Sequence, residues 1–167
     1  MSRNDKMVNK CIDLLEERGV TVHDIAECII FLQAKYYSNL NIDVCIDAVQ
    51  RILEKNEVQH AVLTSIMLDQ LAEQDLIPDK DLQRMLLNDE PLYGVDEVMA
   101  YGICNLYGSI ALTNFGYIDK VKPGIIGKLN NHSSSGKVHT FLDDIVGAIA
   151  ASAASRLAHS GKRIDID

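Results

Sequence analysis

The chain has no tryptophan, only three prolines, and just 5% aromatic residues. It also lacks any window of the roughly 20 apolar residues that a bilayer-crossing helix requires. The longest apolar candidate, 145–154, is about half that length and contains Ser152. No transmembrane segment is therefore expected. The opening Met1-Ser2-Arg3-Asn4-Asp5-Lys6 has no apolar core of a secretory signal, so a cytoplasmic location is expected. Cys11, Cys28, Cys45 and Cys104 form no Cys-x-x-Cys and no compact disulfide framework. Each sits among apolar neighbours, which predicts buried, reduced thiols. Positive charge is scarce as well: 16 Lys and Arg face 24 Asp and Glu, a formal charge of −8. Nucleic-acid affinity comes largely from clustered Lys and Arg, so no nucleic-acid partner is expected. Simple electrostatic docking on anionic membranes is disfavoured for the same reason, leaving room only for transient membrane contact. Phosphate remains open to an acidic chain if carboxylates first hold a divalent cation.

What is present is helical periodicity. The 167 residues suit one domain with its own core, and 47% hydrophobic content excludes intrinsic disorder. The spacing predicts a first helix over Lys6 to Arg18, stopped by Gly19. Thr21-x-x-Asp24 reads as the start of a second, carrying Ile25, Ile29 and Leu32 to near Asn39. A third spans Ile42 to Lys55 and a fourth Val58 to Gln74, broken by Pro78; a short acidic helix follows to Leu87. The turn-rich stretch 88–94 precedes a long helix expected from Val95 to Leu112. Pro123-Gly124 marks another break, and 130–136 reads as a polar loop. The last helix, Thr140 to His159, has small residues all round, from Gly147 and Ala148 to Ala154 and Ser155. Small side chains let backbones approach closely. The expected architecture is all-α, a single-domain helical bundle with this C-terminal helix central. The amphipathic N-terminal helices hold more apolar surface than one small bundle needs, so a homo-oligomer is expected.

Two acidic pairs open helices beside apolar residues: Asp96-Glu97 and Asp143-Asp144. Neighbours on a helix point about 100° apart, so each pair can offer two carboxylates to one region if the helices face each other. Carboxylate oxygens suit hard cations such as Mg²⁺, which keep waters for a phosphate to replace. The plainer alternative is that first-turn acids favour the helix dipole, Thr140-x-x-Asp143 being a capping box like Thr21-x-x-Asp24. Glu57 and His60 share a helical face with Thr64, the Glu-x-x-His spacing of di-iron bundles, but no second copy exists. A polar helix face accounts for that pair equally; His60 is a catalytic candidate only by lining a site shared with the acids. His139 and Lys122 are further candidates for approaching a phosphate. The Gly-x-x-x-x-Gly-Lys-Ser/Thr loop, the dinucleotide fingerprint and the Gly-x-Ser-x-Gly elbow are all missing.

Three segments read together resemble the phosphatidylglycerophosphatase A family: Asp96-Glu97 after a glycine and an aromatic, Asp119-Lys-Val-Lys122-Pro123, and Asp143-Asp144-Ile145-Val146. Their order and separations agree over roughly residues 88–158, and the whole chain resembles the soluble, low-molecular-weight branch. The resemblance implies an all-helical bundle around one central helix. It also implies Mg²⁺-dependent hydrolysis of the phosphate monoester of phosphatidylglycerophosphate to phosphatidylglycerol. On that reading Asp96, Glu97, Asp143 and Asp144 would be metal ligands or their close supports. Asp119 would be another acidic member and Lys122 a phosphate contact. The chain departs from the membrane-bound members in two places. Glu57-Val-Gln-His60 stands where they carry a glycine-rich Pro-Gly-Thr-type segment, and Gly116 follows Phe115 where they carry an arginine. Those departures motivate a second reading, a catalytically silent helical interaction or regulatory protein; a third, a helical nucleotide pyrophosphohydrolase, rests on the carboxylates that such enzymes also arrange around Mg²⁺.

Overall fold

Burial along the last helix sets the architecture. In the computed structural model, which describes residues 1–131 and 136–160, every residue from Leu142 to Ser155 is buried, and Leu157 with them. A helix hidden on all sides must be surrounded. Around this central helix, α9 (Leu142–Ser160), the others are α1 (Arg3–Glu17), α2 (Val22–Gln33), α3 (Ile42–Leu53), α4 (Asn56–Glu73), α5 (Lys80–Leu87), α6 (Val95–Asn105), α7 (Ser109–Val121) and α8 (Gly124–Asn130). Helices α2, α3, α4, α6, α7 and α8 all pack directly on α9. No strand occurs among the described residues, and the fold is all-α.

Small residues let α9 sit at the centre, and its few polar groups are satisfied there. Ser155 donates to the Tyr107 carbonyl at 3.1 Å, and Gln33 Nε2 reaches the Ala154 carbonyl at 3.3 Å. Leu142, Ile145, Val146 and Ile149 are fully buried beside Phe115, Ile118 and Ile126 of α7 and α8. Burial of each such side chain is worth roughly 1.5–3 kcal/mol. A smaller cluster of Ala72, Ile77, Leu86, Val138 and Phe141 lies where the chain enters α9. All four cysteines are buried and free, and burial pushes the Cys28 thiol up to about 12.

Capping follows the sequence at two helix starts. Ser2 with Asp5 and Thr21 with Asp24 form reciprocal capping boxes. Gly19, at φ +83°, follows the end of α1 in a conformation that glycine adopts freely. Helix α8 is not among the expected elements, several ends shift by two or three residues, and two boundaries differ more. Helix α2 stops at Gln33 rather than near Asn39, and the amides of Tyr36 and Tyr37 close a last turn on the Gln33 carbonyl. The long helix expected over 95–112 is two helices. Gly108, at φ +90°, breaks it, and α7 then continues past Leu112 to Val121. Of the polar loop expected at 130–136, residues 132–135 lie outside the described residues.

Candidate active site

The chain enters α9 through a corner built from α1, α4 and α5. Arg18, just beyond α1, is buried, and its guanidinium grips both Glu73 oxygens at 3.2 and 2.6 Å. The same group donates to the Val138 carbonyl at 2.7 Å, while the Val138 amide donates to Glu73 at 2.8 Å. Burial alone would raise the Glu73 pKa, but the Arg18 hydrogen bonds and charge, with the Val138 amide, outweigh it and hold it below 4.5. This corner is charge-matched.

Next to it the first turn of α9 is capped from outside. The Thr140 hydroxyl donates to the Leu86 carbonyl at 2.6 Å, and the Asp143 amide goes to the His139 carbonyl at 3.5 Å. The capping box that Thr140-x-x-Asp143 could have made is therefore not formed. Instead Asp69, from α4, accepts the Phe141 amide at 3.1 Å and the Leu142 amide at 3.0 Å. Asp143 and Asp144 are left to point elsewhere. Burial pushes the Asp69 carboxyl up to about 8, against the pull of those two amides and Arg18.

Asp143 and Asp144 line a cavity of about 210 Å³ together with Asp96, Glu97, Asp119 and Lys122. Three distant stretches of sequence thus converge, and Asp89, Glu90 and Asn130 join them. Each helix contributes from a defined point. Gly94, at φ +79°, turns the chain so that Asp96 and Glu97 fall in the first turn of α6. Lys122 ends α7 in a left-handed backbone conformation, φ +49°, with Pro123 behind it to stop the helix. A Cβ at Gly127 would lie 2.6 Å from the Lys122 carbonyl oxygen, so α8 can approach this bend only with glycine there.

The electrostatics of this cavity are unbalanced. Among the described residues, seven carboxylates line it, and the only cationic side chain that does so is Lys122. Its ammonium bonds Asp119 at 2.7 Å and lies 3.4 Å from Asp143. Asp143 and Asp144 are each only 5% exposed. Burial raises both carboxyls; for Asp144, repulsion from Asp143, Asp96 and Asp119 adds to the rise. Lys122 opposes the rise at both sites. Its own pKa is raised: desolvation lowers it, but Asp119, Asp143 and Asp144 outweigh that. Buried like charges disfavour ionisation, and a divalent cation relieves that strain.

The donor set fits Mg²⁺ by chemistry, since it consists of carboxylate oxygens suited to a hard ion. Among the described residues no three Asp, Glu, His or Cys side chains are drawn close enough to form a ligand cage. Ligation would then be shared with water or with substrate oxygens, as is usual for Mg²⁺.

His60 requires a correction. The structure does not bring it to the acids; it is exposed and lines a separate groove with Glu57, Ala61 and Thr64 against Val95 and Val98 of α6. The reason is helix length. The residue that α4 delivers to the start of α9 is Asp69, nine positions on and about 13.5 Å along the axis. His139 is buried at 3.4 Å from the Arg18 guanidinium and does not line the acid cavity. Asp69, Asp89 and Glu90 lie outside the three sequence motifs. A lone acid inside Ile66-Met67-Leu68-Asp69 was the available signal for the first.

An all-helical bundle with a carboxylate-lined cavity at the N-terminal end of its buried central helix is the class defined here. The sequence matches the phosphatidylglycerophosphatase A family over residues 14–159, and the chain belongs to that family. It is 55% identical to the Bacillus subtilis protein YutG, spanning 99% of this chain and 100% of that one. The crystal structure of Bacillus subtilis YpjQ superposes with a TM-score of 0.92 at 51% identity, covering 98% of this chain and 100% of that one. The low temperature requirement C protein from Listeria monocytogenes superposes at 0.89 and 56% identity, covering 93% and 97% of the two chains. No helix among the described residues is long and apolar enough to cross a membrane.

Proposed function

We propose that this protein is a Mg²⁺-dependent phosphate monoester hydrolase whose substrate is phosphatidylglycerophosphate. The observation that carries the reading is the convergence of Asp96, Glu97, Asp119, Asp143 and Asp144 with Lys122 on one cavity. Family membership supports it independently. Asp143 and Asp144 would hold Mg²⁺ from α9, with Asp96 and Glu97 facing them from α6. When bound, the ion supplies charge neutralisation at the phosphoryl oxygens and a lower pKa for coordinated water. Lys122 supplies a fixed positive charge in the same cavity, held by Asp119 and available to a phosphate oxygen. Burial of the Asp143-Asp144 pair keeps bulk water away and makes each electrostatic contact stronger than it would be in solvent.

Purified protein should release phosphate from phosphatidylglycerophosphate in detergent with Mg²⁺ and stop when EDTA is added. Asp144→Asn should lower the rate by about 100-fold or more. Turnover that persists in EDTA, or a fully active Asp144→Asn, contradicts the reading. One observation favours a second reading, a catalytically silent interaction module: no three metal-binding side chains close on a common point among the described residues. A protein that binds no Mg²⁺ and turns over no phosphate ester would select it.

A further inference from the structure

We propose that Asp69 is the positioning residue of the acid cavity: by capping α9 from α4, it frees Asp143 and Asp144 to face the cation. The inference rests on the metal-dependent reading above and names how this chain's own fold prepares that site.

The argument starts from what a helix start demands. The first four amides of α9 have no partner within the helix, and a buried unsatisfied amide is costly. The usual solution is a side chain at the N-cap, often in partnership with an acid three residues on. Here that solution would take Thr140 and Asp143. Had it been used, Asp143 would be folded back onto the backbone. The Thr140 hydroxyl is instead engaged with the Leu86 carbonyl, and Asp69 takes the amides of Phe141 and Leu142, one on each carboxylate oxygen.

The placement of Asp69 is itself fixed. It is fully buried and sits one turn before Glu73 on α4, where Glu73 is clamped by Arg18. Arg18 and Glu73 in turn hold Val138 by its carbonyl and its amide. Two successive points of α4 therefore grip two successive points of the chain, at residue 138 and at residues 141–142. A segment held at both places has little freedom to rotate, and the direction of the Asp143 and Asp144 side chains is set by that rotation. The pairing spans 72 residues of sequence between Asp69 and Phe141.

Asp69 does not line the cavity, so its effect must pass through α9. Asp69→Asn keeps the shape but replaces one acceptor oxygen with an amide nitrogen, leaving one of the two helix amides without a partner. The test is Mn²⁺ affinity by electron paramagnetic resonance, with hydrogen exchange at Phe141 and Leu142 measured on the same samples. Asp69→Asn should fold, exchange those amides faster, and bind Mn²⁺ about tenfold more weakly. Glu73→Gln weakens the grip at residue 138 but leaves the 141–142 amides capped, and should lose clearly less affinity than Asp69→Asn.

Faster exchange with unchanged Mn²⁺ affinity overturns the proposal, because the cap would then be structural only. Equal loss of affinity in Glu73→Gln overturns it too, since general loosening would suffice. If Asp69→Asn fails to fold, linkage allows the same question of the parent protein. Mn²⁺ should slow exchange at Phe141 and Leu142, and unaltered exchange on binding contradicts the coupling. A parent protein that binds no Mn²⁺ at all refutes the metal-dependent reading and this role together. Failure of the positioning role alone shows as a parent that binds Mn²⁺ and an Asp69→Asn that binds it equally well.

Discussion

Two clusters of charge flank the start of α9, and they are built on opposite principles. On one side, Arg18, Glu73 and the Val138 backbone form a closed set in which each charge has its partner. On the other, among the described residues, seven carboxylates line a cavity with Lys122 as their one lining cation. The first arrangement stabilises the folded chain. The second costs it, since buried carboxylates beside one another resist ionisation. An excess of like charge around one cavity is the kind of arrangement that perturbed ionisation at functional sites is built from, and it is what the proposed reading uses.

Breaking the matched side should have the largest effect. Arg18→Met strands the Glu73 carboxylate and the Val138 carbonyl, and should cost about 3 kcal/mol in chemical denaturation. A loss under about 1 kcal/mol would show that the corner is not the anchor described here. The mismatched side should respond with the opposite sign to pH. Asp143 and Asp144 have raised carboxyl pKa values in the folded state, so the folded chain keeps protons that the unfolded chain gives up above about 4. Stability contributed by that difference falls as pH rises from about 4 through the raised folded pKa values of the pair. Thermal melts should show this fall, Asp144→Asn should flatten it, and Mg²⁺ should restore stability at the alkaline end. A melt profile that is identical in Asp144→Asn would remove the claim of imbalance.

A third change sharpens the geometry. Gly127→Ala places a methyl 2.6 Å from the Lys122 carbonyl, so the bend that carries Lys122 must shift. Loss of about 1–2 kcal/mol in stability and a raised KM for phosphate ester are expected. Unchanged KM with lost stability would detach Lys122 from substrate binding. The smallest effect belongs to Glu73→Gln, worth about 1 kcal/mol near neutral pH. Because the Glu73 pKa is depressed, its stabilising contribution is complete above about 4.5 and disappears as pH falls through its lower folded value. Parent and Glu73→Gln melts should therefore converge in acid. Divergence there would reverse the sign assigned to this carboxylate.

The sequence carried the architecture well because period and small-residue content are local properties. The all-round small face from Gly147 to Ser155 placed α9 at the centre, and Thr21-x-x-Asp24 marked a helix start that forms as expected. The break at Gly108 was less legible, since one glycine inside an apolar period resembles a tolerated interruption until its φ is known. Asp96, Glu97, Asp119, Asp143 and Asp144 were legible through their three motifs, Asp89 and Glu90 were not, and the meeting of all of them in space is a property of packing alone. His60 misled for the same reason: helical spacing shows which residues share a face, not which end of the helix reaches the site. Asp69 was hidden because its partners are backbone amides of residues 141 and 142, which leave no trace in side-chain patterns.

Calorimetric titration of Mg²⁺ into the parent protein and into the Asp143→Asn, Asp144→Asn double variant tests the central claim most directly. The account predicts saturable binding by the parent and none by the variant, with the variant folded. Equal binding by both proteins, or none by the parent, would contradict it.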